Sequence, residues 1–444
     1  MSYWKTPMSE STPRGNTGTP KGSLQEQARV LARRISRTAG TLPAEITLME
    51  VCGTHTVNLR RSGIHSMLPP NIRLISGPGC PVCVTPASYI DNALELIEKH
   101  DALVATFGDM VKVPGVTGRS LAAYMGSGQL KIVYSPADVL TLAREQDRPV
   151  VFLGIGFETT IPVIASVFLK AAEQGLENLF LYPAFKTVPP ALRALLADPD
   201  CRIDGFILPG HVSVIIGEEA YSFLEGDGDD QVRGGKLTDG GRHGASAAGG
   251  RDETGDGGGR GARGGRGAQT GDGKPARSKG REGEPAGNKA RSGLVPGAIT
   301  GFEPLDMLYG IYELLGLVKA GRTRVVNCYT RAVKPQGNPN ARAAMEKLLR
   351  PEDALWRGLG TVPASGMGLR EEFASLDAAT VFSLEPLYDY EPSGCLCAQV
   401  IQGKVTPPEC PQFGRGCTPE QPVGPCMVSS EGSCAAYLRY GEVA

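Results

Sequence analysis

The chain has 444 residues, enough for two or three domains of ordinary size, and 59 of them are glycine. Its formal net charge of −1 gives no electrostatic footprint for nucleic acid or an acidic membrane, so neither is expected as a partner. The hydrophobic share, 41%, is slightly low, but the shortfall is confined to particular stretches and leaves material for a large core elsewhere.

The chain opens on MSYWKTPMSESTPRGNTGTPKGS, a polar segment with scattered Pro and Gly. It has no apolar run of the kind a secretory signal needs, and residues 1–24 read as a disordered tail. From about residue 45, apolar β-rich runs alternate with helical patterns. ITLMEV, RLISGPG, ALVATFGD, LKIVYSP, VVFLGIGF, LFLYPAF, GFILPG and VVNCYTRAV read as buried strands. PASYIDNALELIEKH, PADVLTLAREQ, IPVIASVFLKAAEQG, PPALRALLADP and EPLDMLYGIYELLGLVKAG have helical spacing. The most apolar window, residues 150–169, carries Glu158, Thr159, Thr160 and Pro162 at its middle; it reads as strand, loop and helix, and no membrane span is expected.

Strands alternating with helices predict an α/β chain with parallel sheets covered on both faces. The expected division is a first α/β lobe over 25–148 and a second over 149–330. Residues 226–292 interrupt the second lobe. They consist almost entirely of Gly, Arg, Asp, Glu, Lys, Ser and Ala, which cannot offset ordering entropy, so a disordered insertion is predicted. GRGARGGRG within it resembles an RNA-binding tract, but interleaved acidic residues favour a solvated surface segment. After residue 331 the rhythm fades into two short helical stretches and a cysteine-rich C-terminal domain, 331–444.

The chain holds 11 cysteines and a Cys-x-x-Cys, which in a long chain without a secretory signal suits ligands or redox groups in a reducing cytoplasm. CGTHT follows the first strand; Cys52 and His55 lie three apart, so one helical turn can present thiolate and imidazole together. GPGCPVC places Cys80 and Cys83 between a strand and a helix, where thiolates are favoured and dithiol–disulfide cycling is possible. Half of a zinc site is the plainer reading of that pair. His211 sits in the exposed turn of LPGHVS. Asp109, Glu158, Glu303, Asp306 and Glu431 follow strands or sit in Gly turns, where helix capping is the favoured reading for each.

The tail contains Cys395, Cys397, Cys410, Cys417, Cys426 and Cys434 in a segment too poor in apolar residues to build a core. Structural zinc sites usually use paired cysteines with two to four residues between them, and no such pair exists in the tail, whereas iron–sulfur clusters accept wider spacing. Four thiolates suffice for a cluster and leave two that can form a redox-active disulfide.

Taken in order, CGTHT, GPGCPVC, TFGDM with VPG, GFETT, LPGHVS, GFEPLD and the CTPE-PVG-CMVSSEG-CAAY tail resemble the HypD family of hydrogenase maturation proteins. The resemblance runs from about residue 25 to the C-terminus, outside the insertion. It implies a redox-active scaffold, rather than a conventional turnover enzyme, for assembling the Fe(CN)2CO group of nickel–iron hydrogenases. It implies a small HypC-type chaperone and a HypE-type cyanide donor as partners. By motif, Cys52 is the implied thiolate for the iron under construction, with His55 beside it and Cys80 and Cys83 as a redox pair. Cys395, Cys410, Cys417 and Cys434 are the implied ligands of a [4Fe–4S] cluster, with Cys397 and Cys426 as an adjacent disulfide. His211 and Glu431 match positions the family treats as functional. Lys112 stands where the family usually has Arg and Ala398 where it usually has Gly, and neither removes a ligand. The competing expectation is an iron–sulfur thiol–disulfide reductase acting on a protein partner, which explains the tail and the Cys-x-x-Cys but not CGTHT or LPGHVS.

Overall fold

A computed structural model describes residues 23–42, 44–225 and 294–441. The disordered tail expected up to residue 24 lies outside these residues except for its last two, and the expected insertion lies outside them apart from its neighbours. Nine short runs of aliphatic residues form parallel strands: β1 (Ile46–Glu50), β2 (Ile72–Ser76), β3 (Leu103–Thr106), β4 (Leu130–Ile132), β5 (Val150–Gly154), β6 (Leu179–Pro183), β7 (Gly205–Pro209), β8 (Gly297–Thr300) and β9 (Val325–Asn327). They make two sheets, of order β2-β1-β7-β8-β9 and β4-β3-β5-β6. The fold is therefore α/β with parallel sheets, as the alternation predicts.

The helices start and stop where backbone chemistry requires. Ile161–Glu173, Val188–Ala197 and Pro304–Ala320 each carry proline in the first turn, where a missing N–H leaves no bond unmade. Pro304–Ala320 ends at Gly321, whose φ of 63° suits a residue without Cβ. Helix Leu24–Ala39 was not among the expected elements. Ser23 and Glu26 close a capping box at its start, and Leu31, Ile35 and Ala39 form its buried stripe. It packs beside Pro304–Ala320 on the outer face of the first sheet. A second apolar layer covers the outer face of the other sheet, and a third joins residues of both sheets with Cys397, Cys417, Cys426 and Cys434.

The lobe boundary expected at residue 149 does not hold. The chain lays down β1 and β2, builds the whole second sheet from β3 to β6, and only then returns to add β7, β8 and β9 to the first. Leu48 in β1 pairs with Gly205 in β7. Apolar patterning marks each strand but carries no information on pairing across such a span.

The expected start of the C-terminal domain at 331 is also corrected. Helix Pro339–Leu348 packs on Ile161–Glu173, and an antiparallel hairpin, β10 (Leu349–Trp356) with β11 (Gly360–Leu369), packs on Val188–Ala197. These elements cover the second sheet; the cysteine-rich part begins near Cys395. The hairpin is hard to see in sequence because LRPEDALW and GTVPASGMGL contain proline, acids and three glycines. Buried Trp356 anchors it, donating from Nε1 to Ser365 Oγ at 2.7 Å. Among the described residues no helix is long and apolar enough to cross a membrane.

Two glycines test this packing in opposite directions. A Cβ at Gly79 would lie 2.4 Å from the Cys52 backbone nitrogen, whereas one at Gly316, on the exposed side of Pro304–Ala320, meets nothing within 4 Å. Gly79→Ala is expected to lower stability by about 1–3 kcal/mol through backbone displacement. Gly316→Ala should raise it by about 0.5–1 kcal/mol through reduced unfolded-state entropy. Thermal unfolding of both variants checks the pair of signs.

Candidate functional site: a thiol enclosed at the strand ends

In a parallel sheet, a crevice opens at the strand carboxyl ends where successive connections run in opposite directions. In the first sheet that point lies between β1 and β7; in the second it lies between β3 and β5. Cys52 follows β1, and Gly210 and His211 start the helix after β7. Asp109 follows β3, and Glu158 follows β5. The motifs of four separated chain segments thus occupy the two positions where an α/β fold leaves room for chemistry.

Cys52 is the N-cap residue of helix Gly53–Arg61, in extended conformation. Its backbone is gripped from two sides. The Gly53 N–H donates to the Gly79 carbonyl at 3.0 Å, and Gly79 presses on the Cys52 amide so closely that no side chain fits. On the other side a Cβ at Gly53 would fall 2.4 Å from the Glu431 carbonyl oxygen. Thr54 Oγ1 donates to Glu431 Oε1 at 2.7 Å. The loop bearing Glu431 is fixed in turn by Asp109, which accepts from Ser429 Oγ at 3.2 Å and from the Ser430 amide and hydroxyl at 3.2 and 2.9 Å. Asp109 is therefore a partner for the tail and not a helix cap, a role that its motif alone does not reveal.

Burial pushes the Cys52 thiol up to about 11, and the Glu431 carboxylate adds to the effect. Backbone amides of His55 and Thr54 and the Thr54 hydroxyl offset it in part. Glu431 is itself raised, chiefly by burial, so thiol and carboxyl compete to keep protons around one hydroxyl.

His55 is placed differently from the expectation that it pairs with Cys52. Its amide, not its ring, addresses the thiol. The ring is fully buried; Nε2 lies 3.0 Å from the Gly301 carbonyl and 2.9 Å from Thr300 Oγ1. It stacks on Phe302 at 4.5 Å, and His211 approaches Phe302 at 3.9 Å. One phenyl ring therefore contacts both histidines. Phe302 belongs to GFEPLD, directly after β8, a strand that sequence reading had not resolved. His211 is exposed at its helix start, and partial burial lowers its pKa.

Cys80 and Cys83 are buried and joined as a disulfide, bridging the first turn of the helix Pro81–Val84. Among the tail sulfurs, Cys397 and Cys426 lie 2.8 Å apart, in contact without a bond. Hydrogen bonds from Cys395 and Cys426, with Arg357 nearby, hold Cys397 well below the ordinary thiol range, and the same bonds raise Cys395 and Cys426. Cys417 accepts from the Val423 amide at 3.3 Å, and Cys410 faces the Gly394 carbonyl at 3.9 Å. Among the described residues no three His, Cys, Asp or Glu side chains converge as they stand on a metal position. The donor set nevertheless fits an iron–sulfur cluster in kind: soft sulfurs, five of six buried, on short elements with a shared core but none of their own. Ala398, in place of the glycine the motif comparison suggested, packs against Gly358.

Arg357 ties this tail to the disulfide segment. The residue is 1% exposed; its guanidinium donates to the Tyr390 and Thr85 carbonyls, while its amide donates to the Val84 carbonyl at 2.8 Å. Sequence reading missed it, since a lone arginine at a hairpin turn carries no local signal of burial.

A family model described as HypD, hydrogenase formation hypA family, matches residues 26–230 and 288–441. The unmatched gap falls within the segment read as an insertion. The chain is 36% identical over 427 residues to the hydrogenase maturation factor HypD of Rhodobacter capsulatus, covering 95% of each chain. It is 37% identical over 424 residues to the hydrogenase expression/formation protein HupD of Azotobacter chroococcum mcd 1, covering 93% of this chain and 94% of that one. It is 34% identical over 412 residues to the HypD of Escherichia coli K12, covering 92% and 93%.

The buried imidazole gives the site a pH signature. Burial, ahead of all other causes, lowers His55 from 6.5 to about 4. Between those values the unfolded chain binds a proton at this residue that the folded one does not, so the His55 contribution to stability falls as the pH drops from about 6.5 towards 4. The full effect is about 3 kcal/mol. The buried carboxyls Glu50, Glu158 and Glu391, held up at about 7, act in the opposite direction over this range, so the His55 effect is read as a difference: urea unfolding at pH 7 and pH 5 is expected to show the native chain losing more stability, or gaining less, than His55→Gln on acidification, and equal pH responses of the two would remove the assignment.

Proposed function

This chain belongs to the HypD family of hydrogenase maturation factors, and from that membership we propose that Cys52 holds the iron of the Fe(CN)2CO group while that group is assembled. The observation that carries this reading is the enclosure of Cys52 at a strand-end crevice, gripped by Gly79 on one side and Glu431 on the other. A thiol needed only for packing does not call for a carboxyl and a hydroxyl arranged around it.

The resting sulfur is a protonated thiol, since its pKa is about 11. Arrival of Fe2+ as substrate replaces that proton with a cation, forming the S–Fe bond and releasing H+. Thr54 interacts with Cys52 and donates to Glu431, and so links thiol to carboxylate. Glu431 is held above the usual carboxyl range and is suited to take the proton. Soft thiolate ligation keeps iron bound while cyanide and CO are added. His55 keeps the wall of the site rigid through Thr300, Gly301 and Phe302, and His211 presents an exposed imidazole against Phe302.

A HypC-type chaperone supplies a second thiolate and excludes water from the crevice, and a HypE-type partner donates cyanide. The Cys80–Cys83 disulfide begins one residue after Gly79, which lies against the Cys52 backbone, and it takes up two electrons and two protons to become a dithiol. Cys395, Cys410, Cys417 and Cys434 would hold the [4Fe–4S] cluster, which when bound supplies and accepts single electrons. Cys397 and Cys426 need move little from 2.8 Å to reach a disulfide length of about 2.05 Å. Such chemistry suits a reducing cytoplasm. A reductase of protein disulfides would use the tail and the Cys80–Cys83 pair, yet it leaves the arrangement around Cys52 without purpose.

Two measurements test this reading. In protein purified anaerobically with its partners, infrared bands of iron-bound cyanide and CO are expected from the native chain and are expected to vanish in Cys52→Ser, with the tail iron retained. Persistence of the bands in a folded Cys52→Ser protein would falsify the assignment. Separately, the anaerobic protein should contain about four irons per cluster and absorb broadly in the visible. Cys410→Ala or Cys417→Ala should remove that absorption, and stoichiometric zinc without iron would overturn the cluster.

A further inference from the structure

On the second sheet, away from Cys52, the loops after β5 and β6 form the floor of an open cleft of about 610 Å3. That volume lies within the range of about 300–1,000 Å3 usual for small-molecule sites. Helix Val188–Ala197, segment Glu218–Leu224, helix Pro339–Leu348 and the β10–β11 hairpin surround it. Its walls are apolar, with Pro189, Pro190, Ile216, Met345 and Met367 facing inward.

Two polar groups on the floor are left with nothing to bind. Glu158 is 1% exposed; its Oε1 accepts the Val188 amide at 2.8 Å, but its Oε2 has no partner among the described residues. The Thr187 hydroxyl beside it is also buried and unpartnered. Leaving such groups unsatisfied costs about 1–3 kcal/mol each, so a fold that retains them against a cleft has a reason to. Burial raises Glu158 to about 7, so near neutral pH much of it carries a proton and can donate from Oε2. The buried end therefore matches an uncharged group that both accepts and donates, and a carboxamide does this: its C=O takes the Glu158 proton and its N–H meets Thr187.

The mouth differs in character. Arg193, Arg342 and Arg370 line it with exposed guanidiniums, against the carboxylates of Glu219 and Glu346. Arg342 meets Glu346 only at 3.9 Å, Arg370 turns to Glu372 at 3.3 Å, and Glu219 is engaged by Gln336. Arg193 lies over the Phe223 ring, 4.1 Å from its centroid. Counting Glu372, three guanidiniums stand with three carboxylates at the entrance, and Arg193 rests on a ring instead of on one of them, while the floor is polar and the walls between are apolar.

We propose that this cleft binds a small organic acid, its carboxamide end hydrogen-bonded by Glu158 and Thr187 and its anionic end facing Arg193, Arg342 and Arg370. The site is separate from Cys52, and it stands or falls apart from the assembly reading.

Calorimetric titration of the full chain with succinamate, and with its one-carbon-longer homologue glutaramate, tests the proposal. At least one is expected to bind. Succinamide, which lacks the anion, and succinate, which lacks the amide, should each bind at least about tenfold more weakly than succinamate. Thr187→Val and Arg342→Ala should each weaken binding by a similar factor, Glu158→Leu should abolish it, and Cys52→Ser should leave it unchanged. Thermal unfolding identifies any variant that fails to fold, and the exposed Arg342→Ala keeps the test decisive if Glu158→Leu does so. No heat from either amide acid overturns the proposal. So does binding that Thr187→Val and Arg342→Ala both leave intact, or inorganic phosphate binding as tightly as succinamate, which would reduce the cleft to an anion contact at the arginines.

Discussion

The arrangement depends on the close approach of three backbone segments at Cys52. Gly53 has no Cβ, so the carbonyl of Glu431 can lie against it; Gly79 has none, so the disulfide segment can lie against the Cys52 amide. A side chain at either position would push the segments apart by the better part of its own radius. The hydrogen bonds that use this proximity, Gly53 to Gly79 and Thr54 to Glu431, follow from it and do not create it. Sequence positions more than 370 residues apart meet here because two glycines leave space.

Parallel sheets explain why these segments are near one another at all. Every strand of both sheets points its carboxyl end to a loop, and connections that diverge open a crevice there. The chain interrupts its first sheet to build the second, so the loops after β1 and β7 and those after β3 and β5 are drawn from across the sequence. Asp109, from the second sheet, holds the Ser429–Ser430 turn that carries Glu431 to the first. The two sheets are thereby coupled through the tail as well as through their common apolar layer.

The tail illustrates how a segment with little apolar surface becomes part of a core. Its sulfurs supply much of what it buries, and four of them join the layer between the sheets. Arg357 secures the same region from the hairpin side, its charge taken out of water but its two terminal nitrogens directed to carbonyls of the tail approach and the disulfide segment. A buried guanidinium is tolerable only with such partners. Its placement beside Cys397 also favours the thiolate there, so one residue serves packing and electrostatics together.

The sequence by itself determined the strands and helices whose signals are local: alternating apolar runs, prolines in first turns, and functional motifs that each follow a strand. It also placed Cys52, Cys80 and His211 at strand ends, and its ordered motifs carried the family. Only the tertiary structure decided that β1 pairs with β7, that GAIT is a strand, and that LRPEDALW and GTVPASGMGL form a hairpin, because strand pairing is set by contacts between distant residues and these segments are weak in β-forming side chains. It decided too that His55 turns its ring to Phe302 and away from Cys52, that Asp109 grips the tail, and that Glu158 faces a cleft with one oxygen free. Spacing along a helix fixes which side of it a residue occupies, but the direction of a ring and the partner of a carboxylate depend on what the rest of the chain brings to that side.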